Sequence, residues 1–294
     1  MDWKSSRIDA LLEQALVEDQ AAKDATTNLT IDPELRATAS IVARQEMVVA
    51  GLGAVPRFLE VFARLDPRPQ AQTRFEVVHH PEMFDGVRAH PGQVLAVIRH
   101  NARVLLSCER VILNLLQHLS GIATLTRKYV DAIEGTHAGM RAPEKYAVLC
   151  GGGTNHRIDL ASGILIKNNH IALGGGLRKA LTRALENRKH HQRIQVEVRN
   201  AQELEEALEY GAEAILLDNM TPEQVKASVD RIKQAVAANP GAGAEPRRIP
   251  TEASGGIVLE NIRAYAEAGV DFISVGALTH SAKAADISMR IVAE

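Results

Sequence analysis

Ile194-Gln195-Val196-Glu197-Val198, an intervening stretch over 201–210, and Ala214-Ile215-Leu216-Leu217-Asp218 together decide the fold. The two flanking runs are short and largely apolar, and each carries an acidic residue at or next to its end. Between them Leu204, Ala207 and Leu208 recur three and four residues apart, the spacing of one helical face. Strand, amphipathic helix and strand in that order form a unit whose sheet is parallel and covered by helices. The unit repeats outward. Strands are expected at 147–150, 163–167, 194–198, 214–218, 248–253 and 271–275, with helices over 177–188, 201–210, 222–238 and 259–268. Such repetition favours a (β/α) barrel over an open doubly wound sheet, and no Gly-x-Gly-x-x-Gly opens a helix after the first strand. Six strands fall short of a complete barrel, so an irregular, open one is expected.

Toward the N-terminus the pattern loses its regular alternation. Ile8, Leu11, Leu12, Ala15 and Leu16 mark a helix, with Ser6 ahead of Asp9 as its expected cap. Strands at 37–43, 47–50, 74–79 and 93–99 and a helix at 53–65 make an α+β layer. A long helix follows over 102–133, with a break expected at Ser120-Gly121.

Composition removes several function classes. Lys and Arg number 34 against 36 Asp and Glu, a net charge of −2, so the chain has no global electrostatic footprint for a nucleic-acid backbone. Aromatic residues are 3%, too few for a base-stacking platform. No run approaches the ~18 apolar residues of a membrane span, and Met1-Asp2-Trp3-Lys4 leads into a charged amphipathic segment rather than a secretory core. Cys108 and Cys150 make no disulfide framework and have no metal spacing. A soluble cytoplasmic protein with reduced thiols is expected.

In α/β barrels chemistry sits at the carboxyl ends of the strands, and here those ends are polar. His156, Arg157 and Lys167 form a basic half; Glu197, Asp218 and Glu252 form an acidic half. Taken singly each has a plain structural reading. A basic residue can be a solvated rim residue, and Asp218 ahead of Thr221-Pro222 can cap the next helix. Five successive strands ending this way are harder to explain so. Ser254-Gly255-Gly256, expected to open a helix near Leu259, and Gly276-Ala277 offer backbone N–H groups to an anion, as closing strands of barrels do for phosphate. The basic half suits planar carboxylates, and the acidic half suits Mg²⁺, ribose hydroxyls or both. Carboxylate, phosphate, ribose and Mg²⁺ recognition in one pocket points to phosphoribosyl transfer.

These residues stand in a longer string of motifs. Ala15-Leu16-Val17-Glu18-Asp19, Glu109-Arg110, Leu113-Asn114 and Leu119-Ser120-Gly121-Ile122-Ala123-Thr124 begin it. Glu144-Lys145-Tyr146-Ala147, Gly151-Gly152-Gly153, Asn155-His156-Arg157 and Leu165-Ile166-Lys167-Asn168-Asn169-His170 continue it. Val196-Glu197-Val198, Leu217-Asp218-Asn219-Met220, Glu252-Ala253-Ser254-Gly255-Gly256 and Ser274-Val275-Gly276-Ala277-Leu278-Thr279 complete it. The string resembles the quinolinate phosphoribosyltransferases over nearly the whole chain.

That resemblance implies an α/β sandwich domain over 1–107 with the tail 281–294 packed on it, and an irregular α/β barrel over 108–280. It implies quinolinate and phosphoribosyl pyrophosphate as substrates, Mg²⁺ as cofactor, and nicotinate mononucleotide, pyrophosphate and CO₂ as products of NAD biosynthesis. The implied assembly is a homodimer with active sites shared between subunits, higher oligomers remaining open. By matched motif, Arg110, His156, Arg157 and Lys167 hold quinolinate, Arg110 from the partner subunit. Lys145, Glu197, Asp218, Ser254, Gly255, Gly256 and Gly276 hold phosphoribosyl pyrophosphate; Glu197 and Asp218 face the metal, directly or through water; and Lys167, Glu197 and Asp218 are catalytic.

The chain departs from the family in two places. The family has a short strand carrying Thr-Arg-Lys-Thr, whose cations help bind both substrates, ahead of the segment matching Gly139-Met140-Arg141. Here Gly135-Thr136-His137-Ala138 runs straight into Gly139. Asn168 stands where an acidic residue is common in the family. The rival readings are an impaired paralogue that only binds a nucleotide, supported by the first departure alone, and a phosphoribosyltransferase for another nitrogen heterocycle.

Overall fold

The computed structural model describes residues 1–132, 142–154, 163–189, 192–238 and 248–294, without the side chains of 142, 143 and 145. They form two compact units: Met1–Arg127 with Leu149–Gly152 and Ala282–Glu294, and Lys128–Val148 with Gly153–Ser281. No helix among the described residues is long and apolar enough to cross a membrane.

The first unit contains α1 (Ser6–Glu18), α2 (Ala25–Thr30), β1 (Arg36–Ala43), β2 (Met47–Val48), α3 (Ala54–Leu65), β3 (Glu76–Val78), β4 (Arg88–Ala89), β5 (Val94–Asn101) and most of α4 (Ala102–Ala132). The C-terminal strand Ile287–Ala293 runs antiparallel along β1, β1 pairs with β5 and β5 with β3, giving a four-stranded antiparallel sheet. Along β1, Ala37, Ala39, Ile41 and Ala43 are buried while the residues between them are less so, the alternation of a sheet with one face on a core. Val55, Phe58, Leu59 and Phe62 make the buried stripe of α3, and Leu12, Leu16, Leu105 and Ile112 join the same core. Each such side chain contributes about 1.5–3 kcal/mol by leaving water.

Two expectations for this half fail. Ser5, not Ser6, is the cap position of α1, and its hydroxyl turns back to donate to Asp2 O at 3.1 Å instead of capping the helix. Asp9 accepts instead from Arg57 Nε (2.6 Å) and Arg64 Nη2 (2.9 Å), both on or beside α3. The second failure is the break in α4, which runs unbroken through Ser120-Gly121. These residues serve neighbours rather than a turn. Ala50 N donates to Ser120 Oγ at 3.1 Å and Val48 N donates to Thr124 Oγ1 at 2.8 Å, so the helix satisfies the β2 segment's backbone. Gly121 clears the strand-bound tail, because a Cβ on it would stand 2.1 Å from Lys283 O.

The strand expected at 147–150 is also wrong: these residues end a helix, α5 (Ala142–Cys150). A four-residue apolar run carries no decisive period, and here Glu144 in the first turn and Gly151-Gly152 after the last favour the helix. The remaining five strands are β6 (Ile164–Ile166), β7 (Ile194–Val198), β8 (Ala214–Asp218), β9 (Thr251–Ser254) and β10 (Phe272–Ile273). They form one parallel sheet in sequence order, part of an irregular α/β barrel that stays open among the described residues. The helices after the strands are α6 (Asn168–Gly174), α7 (Leu177–Asn187), α8 (Ala201–Glu209), α9 (Pro222–Ala238), α10 (Ile262–Glu267) and α11 (Ala277–His280). Val196, Val198, Ile215, Leu217, Ala253 and Ile273 are all at most 1% exposed and make one apolar face. The other face carries the chemistry.

Candidate active site

Register places the site residues. Leu165 pairs with Gln195, Glu197 with Leu216, Leu216 with Glu252, and Asp218 with Ser254. Lys167 is extended (φ −102°, ψ 167°), so it continues the face of Leu165 at the level of Glu197. Lys167, Glu197, Asp218 and Ser254 therefore share one face at the carboxyl ends of four consecutive parallel strands, and Glu197 and Asp218 are diagonal neighbours on adjacent strands. Lys167 is exposed, Asp218 and Ser254 half-buried, and Glu197 8% exposed.

The capping reading of Asp218 does not hold. Thr221 and Gln224 exchange hydrogen bonds at the start of α9, Thr221 N to Gln224 Oε1 at 2.9 Å and Gln224 N to Thr221 Oγ1 at 3.4 Å, a capping box complete without Asp218. Asn200 caps α8 by accepting from Glu203 N at 2.9 Å, so Glu197 is not that helix's cap. Glu197 Oε1 instead accepts from Asn168 N at 3.3 Å, at the start of α6, a helix the sequence patterns did not indicate. Arg199, two residues past Glu197, pairs with Glu203 at 2.8 Å. Its guanidinium is held above its usual pKa by that hydrogen bond first, with smaller attractions from Glu197 and Asp218, so both carboxylates act on the same cation.

Glu252 is level with Glu197, both pairing with Leu216 of β8, but it is engaged by side chains. It is 4% exposed, and its carboxylate accepts from Gln195 Nε2 at 2.7 Å and from Ser274 Oγ. Small Ala214, level with Gln195 on β8, leaves room for that bond to cross the strand. The pair of bonds ties β7, β9 and the end of β10 together.

The glycine turn also differs from expectation. α10 begins at Ile262 rather than near Leu259, and Asn261 fills the gap by accepting from Val258 N (2.8 Å) and donating to Gly256 O (3.1 Å). Ser254-Gly255-Gly256 thus forms its own turn, with backbone N–H groups rather than a helix dipole to offer an anion. At the end of β10, Gly276 lies under His280, whose Nε2 would be 3.3 Å from a Cβ there. His280 escaped the sequence reading, and Asn219, though it stands in the matched motif Leu217-Asp218-Asn219-Met220, was given no role there.

Arg110 lies in the first unit, on α4, 76% exposed and 3.5 Å from Asp19. With Asp24, Ser107, Glu109 and Asn114 they line a cavity of about 610 Å³, in which burial raises the Glu109 pKa. His156 and Arg157 lie outside the described residues, as do the Lys145 side chain, Gly139-Met140-Arg141 and residues 239–247.

Comparison with known proteins agrees over the whole length. The model of the quinolinate phosphoribosyl transferase N-terminal domain matches residues 24–120, and that of the C-terminal domain matches 122–290. The probable carboxylating nicotinate-nucleotide pyrophosphorylase of Bacillus subtilis is 39% identical, covering 97% of this chain and 93% of its own. The carboxylating nicotinate-nucleotide pyrophosphorylase of Mycobacterium leprae is 38% identical, covering 95% of each. Among solved structures, NadC from Streptococcus pyogenes has a TM-score of 0.86 at 33% identity, covering 100% of this chain and 99% of its own. The Bacillus alignment runs over 295 residues while taking in 97% of a 294-residue chain, so that relative holds positions this chain lacks. On two domain models, full-length relatives and a common fold, the chain belongs to the quinolinate phosphoribosyltransferase family.

Proposed function

We propose that the chain joins quinolinate to the ribosyl carbon of phosphoribosyl pyrophosphate and removes one carboxylate, giving nicotinate mononucleotide, pyrophosphate and CO₂ for NAD biosynthesis. The alignment of Lys167, Glu197, Asp218 and Ser254 on one face of the parallel sheet carries this reading, in a family named for that reaction. The pyridine nitrogen attacks the ribosyl carbon as pyrophosphate leaves, and positive charge grows on the sugar. Glu197 and Asp218 stand where fixed negative charge stabilises it. Lys167 neutralises a quinolinate carboxylate, with His156 and Arg157 as its partners by motif. Once the ring nitrogen is quaternary, the C–C bond to the adjacent carboxylate breaks, CO₂ departs, and the electron pair stays on the ring carbon beside the cation. Lys167 or His156 delivers the proton that completes the product. Ser254, Gly255, Gly256 and Gly276 hold the 5′-phosphate, and Lys145 is assigned to phosphoribosyl pyrophosphate by motif alone.

Glu197 and Asp218 suit Mg²⁺, which is commonly held by one or two carboxylates together with water and substrate phosphates. No group of three or more His, Cys, Asp or Glu side chains that could hold a metal converges among the described residues. When bound, Mg²⁺ supplies charge to the leaving pyrophosphate.

Identities of 38% and 39% over nearly the whole chain favour this reading over a nucleotide-binding paralogue or another heterocycle. An acceptor panel tests it. Quinolinate is expected to support product formation at least about 10²-fold better than nicotinate, which lacks the second carboxylate; equal use of both would overturn the substrate assignment.

Arg110 fits the role of a residue lent to the neighbouring subunit of a homodimer, being exposed on α4 at the lip of its cavity. Arg110→Ala and Asp218→Asn proteins, each inactive, are then expected to regain roughly a quarter of wild-type activity when unfolded and refolded together, since a mixed dimer has one intact site. No recovery in dimers shown to be mixed would place Arg110 in its own subunit's site.

A further inference from the structure

Asn219 lies one residue past β8 in left-handed backbone, φ +54°, which only Gln20 shares among the described non-glycine residues. That region is disfavoured for most residues with a Cβ, asparagine being among the few that enter it where the surroundings hold it there. The surroundings here are the two halves of the active site. Asn219 Nδ2 donates to Asp218 Oδ2 at 2.9 Å. Its backbone N–H donates to Ser254 O at 2.9 Å, carrying the β8–β9 ladder one step past the pairing of Asp218 with Ser254. Its side chain also presses on the glycine turn: a Cβ on Gly255 would stand 2.4 Å from Asn219 Oδ1 and 2.6 Å from its Cγ. Gly255 is itself at φ +90°.

We infer that Asn219 is a positioning residue that fixes the Asp218 carboxylate and the Gly255 turn relative to each other. Its amide takes one Asp218 oxygen and leaves Oδ1 for the ribose, while the carbonyl side of the same amide sets where the Gly255 backbone lies for the 5′-phosphate. One side chain thus sets the spacing between the sugar and phosphate subsites. The inference rests on the roles proposed above for Asp218 and Gly255. A residue that merely made the turn would affect stability, and would affect both substrates alike.

Asn219→Gly separates the two, because glycine accepts this backbone freely while both amide contacts are lost. The full chain is assayed with quinolinate, phosphoribosyl pyrophosphate and Mg²⁺, alongside Asp218→Asn and the double variant. Ribose 5-phosphate binding is measured by calorimetry as a readout independent of turnover. Asn219→Gly is expected to raise KM for phosphoribosyl pyrophosphate and weaken ribose 5-phosphate binding about tenfold or more, the effect of losing a hydrogen bond to a charged group. KM for quinolinate stays within about twofold, the thermal midpoint is nearly unchanged, and the losses in kcat do not multiply in the double variant. Asn219→Asp, which keeps the size and the tolerance of this backbone but loses the donor, also lowers kcat, whereas a turn role alone would let it pass as wild type. Wild-type constants in Asn219→Gly, multiplicative losses, or equal losses for both substrates with a lowered thermal midpoint would overturn the inference. Should Asp218→Asn itself turn over normally, the role assigned to Asp218 fails; should it be impaired while Asn219→Gly is not, only the positioning role fails.

Discussion

Asp218→Asn is expected to lower kcat about 10²–10³-fold while KM for quinolinate changes by no more than about twofold, the signature of a charge needed in the transition state. The exchange keeps size and shape and removes the negative charge. Asp218 pairs in register with Ser254 at the end of β8, its helix is capped by Thr221 and Gln224, and Arg199 senses its charge alongside that of Glu197. Its carboxylate is therefore not spent on capping, and substitution should leave the fold intact. Steady-state kinetics with each substrate varied in turn checks this. Equal losses in kcat and in quinolinate binding would move Asp218 from the ribosyl centre to the acceptor subsite.

The second large effect is on stability. Gly121→Ala on an exposed helix would stabilise by about 1 kcal/mol through helix propensity. Here the new Cβ would meet Lys283 O at 2.1 Å, Lys283 C at 3.0 Å and Ala284 Cα at 3.2 Å, all backbone. The tail cannot retreat without straining its own bonds, Ala285 N to Gln117 O at 2.8 Å and Gln117 Nε2 to Ile287 O at 2.8 Å. Overpacking typically costs about 1–3 kcal/mol, and an approach to backbone atoms puts this case at the upper end. A fall in thermal midpoint of roughly 5–10 °C is expected, and a rise would show that the tail leaves α4 readily.

The same glycine shows where sequence reading succeeds and where it stops. Ser120-Gly121 looked like a helix break because serine and glycine disfavour helix interiors locally. Their reasons are contacts with residues 50 and 283, which no local pattern contains. Run 147–150 failed for a related reason, four apolar residues being too few to show a period. By contrast β7, β8 and α9 match their expected spans, because each carries a full period between clear terminators. The α/β class and the family were legible through these units and the motifs at their ends. The separate roles of Glu197 and Glu252 were not. Both stand near the ends of expected strands and pair with Leu216 at the same level, and only their partners separate them: Gln195 and Ser274 side chains engage Glu252, while Glu197 accepts from the Asn168 backbone.

One site is expected to couple phosphoribosyl transfer to decarboxylation. The purified chain should be incubated with Mg²⁺, phosphoribosyl pyrophosphate and quinolinate labelled in the carboxylate beside the ring nitrogen, following labelled CO₂, pyrophosphate and nicotinate mononucleotide together. Equal amounts of all three are expected, formed only when both substrates are present. Substrate binding without CO₂ release, or pyrophosphate released without nicotinate mononucleotide, would contradict that coupling.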